Sequence, residues 1–417
     1  MDKTDLFQVA DTISENIDKY GLDRYDLRDT RWIPFLLKKS YFNSIMRKAV
    51  LFLEEFFPVL LRQTLGVNKK CWPTTYTFLG NALFLAEKNK INIRTKYSPI
   101  MLMDLCLNEY VNTEEQNKWW NDEPHIGIYN ATIEVGDKIP TLLMHALTRC
   151  NIMLLNFGRY YNNPRYMDIG TKSAEFVLRQ YQIIDFKDGT KSISYFYNSY
   201  DCTININSEF AHWLSLISFD RHTTETLDFL NSIIRLLLKE QNEDGSWFYF
   251  SKWHMKNYSE KPSCDCHHTG TVLYNLINIL KCDYLDKDFK NAISLTVNKG
   301  MEYYINTFFD MSSGKAITEL GYRRPAGPVQ YSEAIFAFCE YLMLNVGVEK
   351  SVWHQVKNLL PKVIEQNVCF INKRNGSAPS EKIIKWKNIN SIRWGNGPVL
   401  QAIMSYLSIY DKIYGSK

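Results

Sequence analysis

Glycine-containing turns recur along the chain at similar intervals, and each is followed by the start of an apolar helix. Gly189, Gly245, Gly314 and Gly376 are separated by 56, 69 and 62 residues. The residues at or just before the next apolar helix follow them by 16, 23, 17 and 18 positions, and they are Asn205, His268, Tyr331 and Trp394. Turns at such regular intervals are typical of a repeated supersecondary unit. The spacing therefore predicts a series of helical hairpins of about sixty residues each.

The helices between these turns alternate between two apolar patterns. Thr223–Lys239 has one apolar stripe with charged residues off it, which predicts a helix that covers a core on one side. Thr269–Leu280 has paired apolar positions, which predicts a more deeply buried helix. By the same criteria the inner helices are Thr74–Glu87, Pro140–Tyr161, Ile204–Phe219, Thr269–Leu280, Ser332–Leu344 and Gly397–Ile413. The outer helices are Phe42–Leu65, Ser98–Trp119, Pro164–Tyr181, Thr223–Lys239, Asp286–Phe308 and Ser351–Gln366.

This alternation predicts an all-α fold, an (α/α)6 toroid with short β-like turns. Each hairpin of such a fold buries its inner helix only when its neighbours complete a ring. No Pro-rich or Ser-rich linker divides residues 41–417, so we expect a single toroid domain there. Residues 1–40 are expected to form a loosely attached N-terminal arm. The inner helices of a ring begin at the same end, so the residues just before and in their first turns, among them Asp137, should line a common cleft.

The distribution of charge argues against several classes of partner. The net charge of +4 arises from 49 basic and 45 acidic side chains without a long block of like charge, so nucleic acid is not an expected partner. The apolar stretch Val50–Leu61 contains Glu54 and Glu55 and is too short for a transmembrane segment. The start of the sequence lacks a basic segment followed by an apolar core, so we expect a cytoplasmic protein. The oligomeric state does not follow from the sequence.

Cysteine and aromatic content narrow the class of protein further. The nine cysteines are scattered and odd in number, which favours reduced thiols over a disulfide framework. Aromatic residues make up 14% of the chain, enough for extended ring-lined surfaces. Such surfaces suit sugars or isoprenoids as ligands.

Several short motifs resemble those of a known group of proteins. They are Leu61-Arg-Gln-Thr-Leu-Gly66, Asp244-Gly-Ser-Trp247, Asp265-x-x-His-Thr-Gly270, Tyr303-Tyr-Ile-Asn-Thr-Phe-Phe309 and Ile392-Arg-Trp-Gly395. In order and rough spacing they resemble helical-toroid proteins encoded in bacterial capsule and exopolysaccharide loci, over most of the chain from about residue 55. More distantly, the chain is similar to the six-hairpin group of glycoside hydrolases, polysaccharide lyases and uronosyl epimerases. The resemblance implies a carbohydrate-active protein of polysaccharide biosynthesis or modification, and it does not fix the reaction.

Two departures from that group concern the predicted cleft. The usual Asp-Asn-Phe-His is replaced by Asp265-Cys-His-His268. The usual polar stretch before the fifth inner helix is replaced by Gly327-Pro-Val-Gln-Tyr-Ser-Glu333. Specificity is therefore expected to differ from that of the typical member.

The predicted catalytic residues are His268, Asp265, Tyr331 and Glu333. His268 can act as a general acid or base, with Asp265 one helical turn away to orient its ring. An N-cap pair that only satisfies backbone donors would have the same sequence. The predicted substrate-binding residues are Asn205, Asn207, Glu209, Trp247, Arg393, Trp394 and Asn396. Amides and carboxylates can bind sugar hydroxyls, Arg393 can bind a carboxylate, and Trp394 can stack on a sugar or simply fill the core.

Two further interpretations of these motifs are weaker. Cys264, Cys266 and His267 have side chains that bind zinc, but their spacing is too tight for one ion to use them together with Asp265 and His268, and no CxxC pair exists elsewhere. No cofactor is therefore expected. Gln241–Trp247 has the form of a turn motif found in terpene cyclases, yet the chain has neither a DxDD nor a DDxxD sequence. This motif is better explained as a helix end held in place by its own side chains.

Two classes of function remain. One is an enzyme on a uronate-containing or neutral glycan, acting by epimerase-like or lyase-like proton abstraction or by hydrolysis. The other is a non-catalytic toroid that binds glycan or acts as a scaffold. The enzyme requires several titratable groups within hydrogen-bond reach of one pocket, whereas the scaffold requires only an aromatic-lined cleft.

Overall fold

The structure of the protein, a computed structural model, describes residues 2–26, 29–32, 41–108, 111–112, 118–119, 144–196, 199–344, 347–380 and 389–415. The helices in these ranges are α1 (Lys3–Tyr20), α2 (Tyr41–Phe56), α3 (Pro58–Thr64), α4 (Pro73–Lys88), α5 (Pro99–Asn108), α6 (Met144–Tyr160), α7 (Pro164–Gln180), α8 (Ile204–Ser215), α9 (Thr224–Glu240), α10 (Lys252–Tyr258), α11 (Cys266–Ile279), α12 (Lys287–Phe308), α13 (Pro328–Leu342), α14 (Lys350–Val368) and α15 (Gly397–Ile413). A short π-helical turn, Ile392–Asn396, leads into α15.

Short antiparallel hairpins decorate the helical framework. They are β1 (Val111–Asn112) with β2 (Lys118–Trp119), β3 (Ile183–Asp185) with β4 (Lys191–Ile193), and β5 (Ile317–Glu319) with β6 (Tyr322–Pro325). In the β3–β4 hairpin Ile183 pairs with Ile193. The expected β-like turns are therefore present, and most of the other described residues are helical.

The helix ends follow from local capping chemistry. Asp286 accepts a hydrogen bond from the backbone N–H of Phe289 and so begins α12, and Thr223 begins α9 in the same way. Pro164 occupies the first turn of α7, where its missing N–H costs no intrahelical hydrogen bond. These three helix starts confirm the sequence prediction.

The inner helices form a closed ring. Each packs against the next in the order α4, α6, α8, α11, α13 and α15, and α15 returns to pack against α4. All twelve residues of α8 and most of α13 are buried, as expected for helices that have neighbours on every side. The ring confirms the predicted (α/α)6 toroid.

The outer helices pack on this ring in hairpin pairs. Here α5 packs on α4, α7 on α6, α9 on α8, α12 on α11 and α14 on α13. The sixth outer position, on α15, is taken by α1. Buried residues of the inner helices and of their outer partners belong to one continuous hydrophobic cluster.

The position of α1 corrects the expectation of a loosely attached arm. Leu6, Ala10 and Ile13 are fully buried in the common cluster, and Lys3 forms an ion pair with Asp411 of α15 at 2.8 Å. The apolar residues recur on one face of the helix, so α1 has the stripe that an outer helix needs. The domain boundary at residue 40 stays a prediction, because residues 33–40 lie outside the described ranges.

The segment Phe42–Leu65, predicted as one outer helix, is two helices. Pro58 restricts the backbone of Phe57, so α2 ends there and α3 begins with Pro58 in its first turn. Arg62 ties the segment together: its fully buried guanidinium bonds Asp29 at 2.7 Å and Glu54 at 2.5 Å. The prediction of one long helix was also wrong for Ser98–Trp119, where α5 ends at Asn108 and residues 111–112 and 118–119 are strands.

The recurring glycine turns dock each hairpin onto the next outer helix. A Cβ atom at Gly245 would lie less than 3.0 Å from backbone atoms of Lys299 in α12, one at Gly314 would do so against Lys362 in α14, and one at Gly376 against Thr12 in α1. Gly189 is linked differently, because its carbonyl accepts a 2.8 Å hydrogen bond from Ser232 in α9. The turn at Gly376, which follows α14, thus identifies α1 as the next outer helix of the ring.

Within the described ranges, no helix combines the length and the hydropathy that crossing a bilayer requires.

Candidate functional site

The inner helices run in the same direction, so their first turns meet at one end of the barrel. Side chains from the starts of α6, α8, α11 and α13 contact one another there. Side chains from the later turns of the inner helices line a separate cavity at the other end. The predicted cleft residues therefore belong to the end where the helices begin.

Asp265 and His268 form a close pair at the start of α11. Asp265 is the N-cap residue, and one carboxylate oxygen accepts from the backbone N–H of His268 at 2.9 Å. The other oxygen lies 2.5 Å from Nδ1 of the same residue. Burial raises the pKa of the Asp265 carboxyl, but its interactions with His268 outweigh burial and the net pKa is lowered. Asp265 is thus an ionised partner that fixes the ring and leaves Nε2 for another contact.

His268 lines a small cavity together with Asn205, Tyr249 and Trp247. The cavity has a volume of about 10 Å³, and the His268 side chain is 30% exposed. The Tyr249 and His268 ring centroids are 4.5 Å apart. The Asn205 amide oxygen is buried without a hydrogen-bond partner among the described residues. A base, a phenol and an unsatisfied amide thus share one small space.

Trp247 contributes packing to this space more than it contributes chemistry. Its ring is 3% exposed, and its Nε1 donates to the Leu237 carbonyl at 3.0 Å. The ring lies directly against Gly300 of α12, where a Cβ atom would clash with it. The predicted substrate-binding role of Trp247 remains a prediction for its cavity-facing edge.

Arg149 of α6 joins the two predicted glutamates in the barrel lumen. Its Nε donates to Glu209 at 3.1 Å, and its terminal nitrogen donates to Glu333 at 2.9 Å. Thr148 and His145 also contact Glu209, at 2.6 and 3.2 Å. Both carboxylates are almost completely buried. The cluster of His145, Arg149, Glu209 and Glu333 is called the lumen network below.

The charges of the lumen network compensate one another. Burial raises the pKa of the Glu209 carboxyl, but His145 and Arg149 outweigh it and lower the net pKa to about 2. Burial lowers the pKa of Arg149, but Glu333 and Glu209 outweigh it and the net pKa is raised. Arg149 and Glu209 are therefore both charged at neutral pH.

His267 connects the lumen network to the Asp265–His268 pair. Its ring centroid is 4.8 Å from that of His268. Burial lowers the pKa of His267 well below its ordinary value, and the nearby Arg149 guanidinium adds to this effect. Its Nδ1 is buried without a hydrogen-bond partner among the described residues. The neutral imidazole of His267 thus lies between the lumen network and the Asp265–His268 pair.

The side chains of Asn207 and Tyr331 form hydrogen bonds with backbone groups of the fold. Asn207 bonds the backbone N–H and carbonyl of Ile193, which fixes the β3–β4 hairpin to α8. The Tyr331 hydroxyl accepts from the backbone N–H of Ala316 at 2.9 Å. Neither residue lines the cavity beside His268. The structure therefore does not bring these two predicted site residues to that cavity.

Arg393, Trp394 and Asn396 form a separate group on the π-helical turn before α15. The Arg393 guanidinium lies 4.8 Å from the Trp394 ring centroid, and the Trp394 Nε1 donates to Asp26 at 3.2 Å. Asn396 is fully buried and donates to the side-chain oxygen of Asn16 in α1 at 3.2 Å. The Asn396–Asn16 contact links this turn to α1, and the three residues do not line the cavity beside His268.

The cysteines of the zinc alternative have different neighbours. The Cys264 sulfur contacts the Tyr303 hydroxyl at 3.5 Å, and the Cys266 sulfur contacts the Tyr304 hydroxyl at 3.4 Å. Burial raises the pKa of both thiols, which disfavours the thiolate that binds zinc. In the part of the chain that the structure describes, no group of three His, Cys, Asp or Glu side chains is arranged to hold a metal ion.

The sequence prediction missed His145, Arg149 and Tyr249. His145 and Arg149 are four residues apart in a helix that was correctly predicted as inner, so both must face the lumen or pack in the wall. A charged residue in such a helix is a signal that could have identified them. Tyr249 lies in a loop, two residues after Trp247, and no sequence periodicity places its ring beside His268. Asp137, which was expected in the cleft, lies outside the described residues.

The closed ring with a polar cluster at one end defines the protein as an (α/α)6 toroid. No family model matches the sequence, and no curated protein matches it. Among solved structures, a possible member of the GH105 family from Salmonella enterica has a TM-score of 0.62 at 10% identity, covering 98% of this chain and 95% of its own. The GH76 α-mannanase BT2949 of Bacteroides thetaiotaomicron has a TM-score of 0.58 at 9% identity, covering 83% and 87%.

A third similar structure contains a glycan. It is an inactive variant of the GH76 α-1,6-mannanase of Salegentibacter, with two consecutive aspartates replaced by alanine, in complex with α-1,6-mannotetrose. Its TM-score is 0.57 at 10% identity, and the match covers 82% of this chain and 91% of the mannanase. At such low identity these likenesses establish the fold and leave the chemistry to the residues of this chain.

Proposed function

We propose that this protein is an enzyme that removes the proton beside the carboxylate of a uronate unit in an oligo- or polysaccharide. The observation that carries the proposal is the Asp265–His268 pair, which shares one cavity with Asn205 and Tyr249. A carboxylate on Nδ1 fixes the tautomer and stabilises the imidazolium that forms when Nε2 accepts a proton. The toroid fold of the similar glycosidases and the resemblance to proteins of capsule loci support a glycan as the substrate.

In the proposed reaction His268 Nε2 takes the proton from C5 of the uronate, and the electron pair is delocalised into the sugar carboxylate. The side-chain Nδ2–H of Asn205 can donate a hydrogen bond to that carboxylate. In a lyase-like reaction the C4–O bond then breaks, a C4–C5 double bond forms, and Tyr249 gives a proton to the departing oxygen. In an epimerase-like reaction the C4–O bond stays intact, and Tyr249 gives a proton to C5 from the opposite face. The cavity holds about one water molecule, so the sugar would bind over it, against the exposed edge of His268.

Hydrolysis is the alternative that the similar glycosidase structures favour. A hydrolase needs a protonated carboxylic acid to donate to the glycosidic oxygen. Glu209 is held ionised by His145 and Arg149, and Glu333 is bonded to the same guanidinium. The sequence also contains no two consecutive aspartates, the residues replaced in the inactive mannanase variant. These features favour proton abstraction.

The proposal is tested by incubating the protein with uronate-containing polysaccharides in D₂O. Deuterium at C5, seen by NMR, reports proton abstraction, and ultraviolet absorbance of an unsaturated uronate reports elimination. His268→Ala should lower the rate by about 10²–10⁴-fold, the usual contribution of a general acid or base. His354→Ala, at an exposed position of α14, is the matched control and should leave the rate unchanged.

Other outcomes would contradict the proposal. New reducing ends without deuterium incorporation or absorbance would assign the protein to the hydrolases. Glycan binding without any turnover would favour the non-catalytic toroid. Unchanged turnover by a folded His268→Ala protein would remove His268 from the mechanism.

A further inference from the structure

A second, larger cavity lies at the end of the barrel opposite His268. It has a volume of about 640 Å³ and is lined by the later turns of the inner helices. The lumen network and the pair of His212 with Asn275, joined at 2.9 Å, occupy the barrel between the two ends. The volume lies in the range of about 300–1,000 Å³ that is usual for small-molecule sites. This space, called the lower cavity here, is not part of the proposed active site.

One wall of the lower cavity carries uncharged polar side chains that lack partners. Gln401 of α15 is 6% exposed, and its amide forms no hydrogen bond with any described residue. Asn81 of α4, Asn156 of α6 and Ser405 of α15 also line the cavity without a side-chain hydrogen bond to the described residues. The helices α15, α4 and α6 are neighbours in the ring, so these groups lie on one side of the cavity. These groups face the space of the cavity, where a ligand or water can form hydrogen bonds with them.

The other side of the lower cavity is aromatic. Tyr274 of α11 and Phe336 of α13 line it with ring centroids 6.1 Å apart. Phe84 of α4 adds a third ring on the side that carries Asn81. A sugar has apolar C–H faces and hydroxyls at its edge, so rings on one side and amides on the other match its chemistry.

Three basic and two acidic side chains line the lower cavity, so its charges largely cancel; they are Lys88, Arg159, Lys281, Asp283 and Glu340. Lys281 forms an ion pair with Glu340, and Arg159 donates to the Leu216 carbonyl. Lys88 lies over the Phe84 ring at 5.9 Å from its centroid. Burial lowers the pKa of His212, deeper inside, to about 4, so it is uncharged at neutral pH. The cavity therefore offers no strong site for an ionic ligand.

From these contacts we infer that the lower cavity is a second carbohydrate site, which takes a neutral sugar unit. The amides of Gln401, Asn81 and Asn156 hydrogen-bond the sugar hydroxyls, and Tyr274 packs on its C–H face. The ligand is a mono- or disaccharide, or the end unit of a longer glycan. We assign no bond-making or bond-breaking step to this cavity, because Glu340 is ion-paired with Lys281 and the His212 ring is bonded to Asn275.

The test is saturation-transfer NMR and calorimetric titration of the wild-type protein with glucose, mannose, galactose and their disaccharides. At least one sugar should bind, and Gln401→Leu should weaken that binding about tenfold, because a sugar hydroxyl loses its partner in a buried place. Asn81→Leu should have a similar effect. Ser408→Ala is the matched control on α15, since Ser408 does not line the cavity. Circular dichroism and thermal unfolding would show that each variant is folded.

His268→Ala separates this inference from the proposed function. It should leave neutral-sugar binding unchanged, because His268 lies at the other end of the barrel, even though it is expected to abolish proton abstraction. The inference is overturned if no neutral sugar binds the wild type, or if folded Gln401→Leu and Asn81→Leu proteins both bind as the wild type does. Loss of binding in His268→Ala would place the sugar in the cavity beside His268 and would equally overturn the inference.

Discussion

At the scale of single residues, the lumen network shows how a buried ion cluster stays compensated. One guanidinium, that of Arg149, bonds two carboxylates from different inner helices, those of Glu209 and Glu333. Removing one partner of a buried ion pair costs about 3–5 kcal/mol because the other charge is left uncompensated. The network therefore fixes α6, α8 and α13 relative to one another as well as lining the lumen.

Glu209→Gln should destabilise the protein at neutral pH, and the effect should depend on pH. The pKa of Glu209 is lowered from 4.5 to about 2 in the folded protein, so the carboxylate contributes stability above pH 4.5 and loses it as the pH falls toward 2. That shift corresponds to about 3 kcal/mol. Urea unfolding at a series of pH values should show the wild type approaching Glu209→Gln as the pH falls below 4.5.

The matched control for this series is Glu302→Gln, at an exposed position of α12. It should track the wild type at every pH. A difference between the wild type and Glu209→Gln that stayed constant from pH 6 to pH 2 would mean that the ionisation of Glu209 does not stabilise the fold.

At the scale of elements, the glycine turns connect each helical hairpin to the next outer helix. Gly376 has φ of +66° and lies against the backbone of Thr12, whereas Gly189 has φ of +79° and no atom within 4 Å of its missing Cβ. Both positions strain an L-residue, but only the first also forces two elements apart. A comparison of substitutions at the two glycines therefore distinguishes the cost of backbone strain from the cost of displacing α1.

Gly376→Ala should cost clearly more stability than Gly189→Ala. Strain alone predicts about 1 kcal/mol at Gly189, and the added displacement of α1 predicts about 3 kcal/mol or more at Gly376. Chemical denaturation of the two variants, analysed with a common m-value, measures the difference in their free energies of unfolding. Equal losses would show that the turn tolerates separation from α1.

The inner helices and the helix starts were predictable from the sequence, because burial on all sides and capping are local signals. Asp286 and Thr223 are caps that any helix needs, and the apolar pairs of α11 are visible without knowledge of the fold. Leu6, Ala10, Ile13 and Ile17 likewise recur on one face of α1, and this signal for an outer helix was overlooked.

The site was less predictable because its contacts join residues distant in sequence. Arg149 bonds partners 60 and 184 residues away, so nothing around it indicates its role. The Asp265–His268 pair was accessible because one helical turn separates its members. Tyr331 and Asn207 were predicted from their position at a helix start, but local backbone groups took up their hydrogen bonds.

At the scale of the whole molecule, stability depends on closing the ring. The α1 helix is the outer partner of α15, so a cavity made in it should weaken the entire barrel and not only its own segment. Ile13→Ala should cost about 2–5 kcal/mol, since Ile13 is fully buried. Tryptophan fluorescence and far-ultraviolet circular dichroism should report a single unfolding transition shifted to lower temperature.

The matched control is Glu15→Ala, on the exposed face of the same helix, which should change stability by less than about 0.5 kcal/mol. If Ile13→Ala has no larger effect than this control, or if helix content alone falls while the fluorescence transition stays in place, α1 is not an integral part of the ring.

The pairing of α1 with α15 also has a consequence for synthesis on the ribosome. The partner of α1 is α15, which begins at Gly397. The apolar stripe of α1 therefore stays exposed until nearly the whole chain has been translated. Contacts between segments so far apart in sequence form late and slowly. A premature stop before Gly397 would leave apolar faces of α1, α4 and α13 exposed together, and the released product would be a substrate for chaperones and proteases instead of a smaller barrel.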